Sequence, residues 1–184
     1  MAGKLKILLA ALMLFGTISL NSAVAEEIEN TYLLVNVESD GILSAKDLVF
    51  TNVETEVEVW IRDLLTLGRA GARKFRLQAL PAGEYYLSSI HPVANVNDAA
   101  PRIETKKSAG IITIRAGSIN YIGDMLFKSR ERGRGVRSSF DYEPNSETLI
   151  AAVGAERELF QRLDVVISIA GNAPMLVEKS LLGL

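Results

Sequence analysis

From about Glu29 to Tyr142 apolar and polar residues alternate with a period of two, the pattern of strands that bury one face. Val53, Thr55, Val57, Val59 and Ile61 fall on one side and Glu54, Glu56 and Glu58 on the other, which predicts one strand from Val53 to Ile61 with an acidic outer face. Phe75, Leu77 and Ala79, the turn residues Pro81 to Glu84, and then Tyr85 to Leu87 predict a hairpin. Ile112 and Ile114, followed by Ala116-Gly117-Ser118 and a run from Ile119 to Phe127, predict a second. In that run Ile119, Tyr121, Gly123, Met125 and Phe127 share a face, and the opposite face is apolar enough for a central strand. Further strands are expected at Thr31–Val37, Asp47–Thr51, Arg102–Thr105 and Val136–Tyr142.

The texture changes at Pro144. Asn145-Ser146-Glu147 offers a helix start with an acidic first turn, and Leu149, Ile150, Val153, Phe160 and Leu163 recur at helical spacing. One amphipathic helix near 146–163 is expected, weakened at Gly154. Val165–Ile169 reads as a last strand, and Met175–Leu184 has no assignable pattern. These elements predict a mainly β fold, an antiparallel β-sandwich of about eight strands with one C-terminal helix.

Residues 1–25 have a different texture again: Lys4 and Lys6, an apolar stretch from Ile7 to Leu20, and the small-residue ending Ala23-Val24-Ala25. This is the layout of a cleavable export signal, cut before Glu26, and it places the mature chain in the periplasm or outside the cell. Gly16, Thr17 and Ser19 interrupt the apolar stretch, which is shorter than the roughly 20 residues of a membrane span, so no stable span is expected after cleavage. The remaining 159 residues suit a single domain, 26–184.

Charge and chemistry narrow the function. Losing Lys4 and Lys6 with the signal leaves 18 basic residues against 22 acidic ones, which argues against a generally basic nucleic-acid binder. With no cysteine there is no disulfide, thiolate nucleophile or thiolate metal ligand, and with His91 the only histidine no metal site can use two imidazoles. No cofactor or catalytic residue is predicted. His91 could anchor a hydrolase only if a nucleophile and a carboxylate met it in space, and no nucleophile-elbow motif accompanies it. Asp124, on the expected central strand, reads as a buried carboxylate that caps a loop amide. Tyr85, Tyr86 and Tyr121 read as packing residues, and Trp60 as a half-exposed aromatic among the glutamates.

The densest charge cluster is Lys128, Arg130, Arg132, Arg134 and Arg137, interrupted by Gly133 and Gly135. Placed between two strands, it predicts a basic loop able to present guanidinium groups to phosphate or carboxylate in bidentate geometry. The expected partner is an envelope protein or an anionic envelope component.

The segments Phe75-Arg76-Leu77-Gln78-Ala79-Leu80-Pro81-Ala82-Gly83-Glu84-Tyr85-Tyr86-Leu87 and Ile114-Arg115-Ala116-Gly117-Ser118-Ile119-Asn120-Tyr121-Ile122-Gly123-Asp124 resemble carboxypeptidase-regulatory-like sandwiches, of immunoglobulin-like or transthyretin-like build. A group of small exported bacterial proteins of unknown function is similar in the same turns. The resemblance implies a binding, spacer or assembly module and transfers no catalytic residue. The expected function is thus an exported binding module, with a small outer-membrane β-barrel and a periplasmic hydrolase as the rival readings.

Overall fold

Twelve strands form among the described residues, because the period-two runs bury alternate side chains between two layers. In chain order they are β1 (Tyr32–Gly41), β2 (Ser44–Asn52), β3 (Glu58–Ile61), β4 (Arg76–Ala79), β5 (Gly83–Asn95), β6 (Asp98–Ala99), β7 (Ile103–Glu104), β8 (Ile112–Ile114), β9 (Ser118–Arg132), β10 (Gly135–Glu143), β11 (Asp164–Ile167) and β12 (Met175–Val177). The computed structural model describes residues 30–66, 75–95, 98–133 and 135–184; the expected export signal and Arg134 lie outside these. One sheet runs β12-β11-β9-β1-β4, with β10 also on β9, and the other runs β3-β2-β5-β6, with β7 and β8 also on β5. The strands therefore build a two-sheet sandwich and do not close into one barrel. Most pairs are antiparallel as expected, but β1 and β11 both lie parallel to β9.

Neither expected hairpin pairs with itself. β4 joins β1 in the first sheet, whereas β5 joins β2 in the second, so Pro81 to Gly83 carries the chain across the sandwich. The Leu80 amide donates to Thr31 O (3.2 Å) and the Tyr85 hydroxyl to Pro81 O (3.0 Å), holding the two ends of this arch to different layers. β8 and β9 are likewise split between sheets, across a turn held by the buried Asn120, whose Oδ1 accepts the Arg115 amide at 2.9 Å. The expected strand Val53–Ile61 is shorter. Asn52 Oδ1 accepts the amides of Glu54 (3.0 Å) and Thr55 (2.9 Å), folding Val53 to Glu56 into a turn, so only Glu58–Ile61 pairs with β2.

β9 is the spine of the first sheet, and it changes partner midway. Ser118 to Tyr121 pair with β11, and Asp124 to Arg132 pair with β10. At the junction β9 holds one residue more than β1, a bulge at Ile122-Gly123. Gly123 has φ +87°, and a Cβ there would sit 3.1 Å from Glu143 O. The extra residue reverses the alternation. Ile119 and Tyr121 face the helices, while Ile122, Met125 and Phe127 face the space between sheets, in place of the single shared face expected.

Two helices cover part of the first sheet's outer face. α1 (Ser146–Ala155) begins at Asn145, whose side chain accepts the Glu147 amide, and α2 (Arg157–Arg162) follows a break at Glu156 (φ −128°, ψ 40°). The single helix expected is therefore two. Leu149, Val153, Phe160 and Leu163 pack with Tyr121 and Val165 in a second core, but Ile150 is exposed. Leu182 and Leu184 of the tail join the same cluster. Among the described residues no helix is long and apolar enough to cross a membrane.

Candidate functional site

The basic cluster is strand, not loop. Lys128, Arg130 and Arg132 lie in β9 and Arg137 in β10, because the charged residues continue the period-two pattern: Phe127 and Ser129 point inward and are fully buried, and the cations point outward. The register sets Arg137 directly opposite Arg130. The Asp40 carboxylate accepts from Arg130 Nη2 at 2.6 Å, and Asp40 O and Ser129 O accept from Nη1 at 2.9 and 3.0 Å. Lys128 Nζ donates to Asp141 Oδ2 at 2.9 Å. These bonds hold the Asp40 carboxyl below its ordinary range and raise the Lys128 ammonium above its own. Arg132 and Arg137 are exposed and form no ion pair with a described residue. Lys128, Arg130 and Arg137, with Ser138 and Ser139, line a concavity of about 190 Å³. Like charges directly opposite on a strand pair are unfavourable by a few tenths of a kcal/mol or more, and here nearby acids fix only two of the three cations. An anion placed among them meets Lys128 and Arg130 already positioned by Asp141 and Asp40, with Arg137 and Ser139 on the same face. Asp40 and Asp141, which do the fixing, were not singled out in the sequence; Asp40 comes from β1, 90 residues before Arg130, and Asp141 from β10, four residues past Arg137.

A second concavity of about 450 Å³ lies on the opposite, inner face of the same ribbon, with Ser138 and Ser139 at the strand between the two. It lies between the sheets where β10 pairs only with β9, and Ile90, Ile103, Phe127 and Phe140 form its apolar lining. No sequence signal marks it, since its walls come from four strands in two sheets.

His91 does not build a catalytic set. Its Nε2 lies 3.4 Å from Ser89 Oγ, but Ser89 is fully buried, and no carboxylate bonds to the ring among the described residues. Asp47 sits opposite His91 in the β2–β5 register, yet its Oδ1 accepts the Asp63 amide at 3.0 Å. The imidazole instead packs on Trp60, with ring centroids 4.8 Å apart, and Arg62 lies 5.2 Å over the indole. Trp60 is half-exposed on the outer face, as its alternation with Val59 and Ile61 predicts.

Asp124 is a structural hub. Its Oδ1 accepts from the Tyr121 hydroxyl (2.6 Å), and its Oδ2 from Asn36 (3.0 Å), Asn145 (2.8 Å) and Thr148 (2.9 Å). Asn145 and Thr148 belong to the start of α1, so this buried carboxylate ties the helix layer to β9 and β1. Burial, and then the bond to Asp124, push the Tyr121 phenol well above its ordinary value. Tyr85 is buried as a packing residue and Tyr86 is half-buried. Among the described residues no three metal-ligating side chains cluster.

Comparison of the chain with protein families, with curated proteins and with solved structures finds no match, so its function is read from its own geometry.

Proposed function

We propose that the chain is an exported β-sandwich binding module that captures an anionic group of the cell envelope on the β9–β10 ribbon, with no catalytic chemistry of its own. The observation that carries this is the set Lys128, Arg130 and Arg137 around one concavity with Ser138 and Ser139, two of the cations pre-positioned by carboxylates and the third in no ion pair with a described residue. Arg132 extends the same face toward the tip of the ribbon. Export to the periplasm or beyond is supported by the leader-like residues 1–25. Kinship with the carboxypeptidase-regulatory-like sandwiches is supported by the turns within Phe75–Asp124 and by the two-sheet architecture. A mature chain with more acidic than basic residues gathers these cations on one hairpin, which favours a local contact over general polyanion binding.

The test is co-sedimentation with phosphatidylcholine vesicles that contain or lack phosphatidylglycerol. Binding should require the anionic lipid and weaken with salt. Arg132→Ser with Arg137→Ser should reduce it about 30-fold, at about 1 kcal/mol per arginine near an anionic surface. Binding that ignores the anionic lipid, or that survives the double substitution unchanged, removes the ribbon from the function.

A further inference from the structure

We infer that β10 is a self-pairing edge: two copies of the chain join antiparallel along Gly135–Glu143 and continue the first sheet across a two-fold axis. This goes beyond the anion reading of the ribbon, which concerns its outer face, and does not rest on it.

Three observations lead there. No described strand other than β9 pairs with β10, and at nine residues it is the longest outermost strand: β4, β12, β3 and β6, at the other sheet ends, have four, three, four and two. Edges are ordinarily blunted by shortness, a bulge, a proline or an inward-pointing charge, because unpaired backbone groups recruit other strands. β10 has none of these. Its register with β9 is unbroken, Gly135–Glu143 contains no proline, and its inward positions are Val136, Ser138, Phe140 and Tyr142. Second, apolar surface is left open along this edge. Val136 is 47% exposed, and Phe140 is half-exposed at a cleft that the second sheet closes with only the two residues of β7 and the turn Lys107–Ala109. Third, the strand is complementary to itself. Its outward positions are basic near the start, at Arg137, and acidic near the end, at Asp141 and Glu143. Antiparallel pairing of all nine residues sets Ser139 opposite itself and Arg137 opposite Asp141 of the second copy, and the symmetry makes that contact twice. On the inner face the same register puts Ser138 opposite Phe140 and makes the two Phe140 rings diagonal neighbours, which covers the open side of both clefts. A strand of unrelated sequence would pair the backbone but leave Arg137 without a matched carboxylate.

Sedimentation equilibrium of the chain from Glu26, without lipid, should show a reversible dimer. Arg137→Asp sets carboxylate against carboxylate twice and should raise the dissociation constant about tenfold; adding Asp141→Arg to it should restore the pairing. The chain has no cysteine, so Ser139→Cys supplies the only thiol, and a residue directly opposite itself lies within disulfide reach. Mild oxidation should link this variant into dimers about tenfold faster than Ile150→Cys, whose site on α1 is also exposed. A chain that stays monomeric up to about 1 mM overturns the inference. So does a dimer that links no faster at Ser139→Cys than at Ile150→Cys, because its contact then lies elsewhere. No binding to anionic vesicles by a chain that dimerises along this edge removes the outer face from the function and keeps the edge.

Discussion

Glu56 holds a left-handed backbone conformation, with φ 58°, at the last position of the turn that Asn52 organises. Its amide donates to Asn52 O (3.0 Å) and the Asn52 amide to Val57 O (3.0 Å), so the turn and the β2–β3 register both require this geometry. A side chain there crowds the following carbonyl, at roughly 1–2 kcal/mol, and glycine avoids that crowding at some loss of unfolded-state entropy. Glu56→Gly should therefore stabilise the protein by about 0.5–1 kcal/mol, read as a higher urea midpoint at unchanged slope. Tyr121 gives a prediction in pH. Its phenol and that of Tyr142 are both raised above the ordinary tyrosine value by burial, so each favours the folded state fully below about pH 10. Above that the unfolded chain ionises first, and stability falls as pH climbs toward the folded values. Phenolate absorbance of the fully buried Tyr121 should appear only together with loss of the native circular dichroism; its ionisation within a still-folded protein would contradict the burial argument.

Among the elements β9 carries the most consequence, because one extra residue lets a single strand serve two cores. Gly123→Ala would put a Cβ 3.1 Å from Glu143 O in a backbone region that L-residues avoid. It should destabilise by about 1–3 kcal/mol, and amide exchange should speed up in β10 more than in β11. Equal protection of the two would show that the bulge does not organise the partner change. This strand also marks what the sequence could disclose. Alternation located its residues, but strict period-two counting put Ile119 and Phe127 on one side, because a bulge leaves no trace beyond a glycine that turns supply just as readily. The arches at Pro81 and Gly117 misled for a related reason: turn chemistry says where a chain reverses, not whether the flanking strands pair side by side or face to face. The helix start at Asn145 was legible because its cap is local, formed by one side chain and an amide two residues on.

At the scale of the molecule the layers are held in register by few polar contacts, and Asp124 is central among them. Asp124→Ala leaves the Tyr121, Asn36, Asn145 and Thr148 donors without their acceptor in a buried setting and should destabilise by about 3–4 kcal/mol. The loss should begin in α1: hydrogen exchange at Leu149 to Val153 should quicken before exchange in β2 and β5, and uniform quickening would mean that the helix layer is not separately tethered. The candidate site divides along the same line between local and global. Its cations stand within ten residues and were visible as a charge cluster, whereas the cleft exists only once β5, β7, β9 and β10 are brought together from two sheets. Sequence patterning specifies which residues are buried, and the empty space that remains is set by how layers of unequal width overlap. The parallel pairing of β1 with β9 bears on how the protein comes to be folded. Tyr32 pairs with Ile119 and Gly41 with Ser129, so the strand made first takes its place beside the spine only after some ninety further residues exist. Such long-range closure is slow. Until then β1 has only β4 beside it, and its other edge offers unpaired backbone groups to any passing strand.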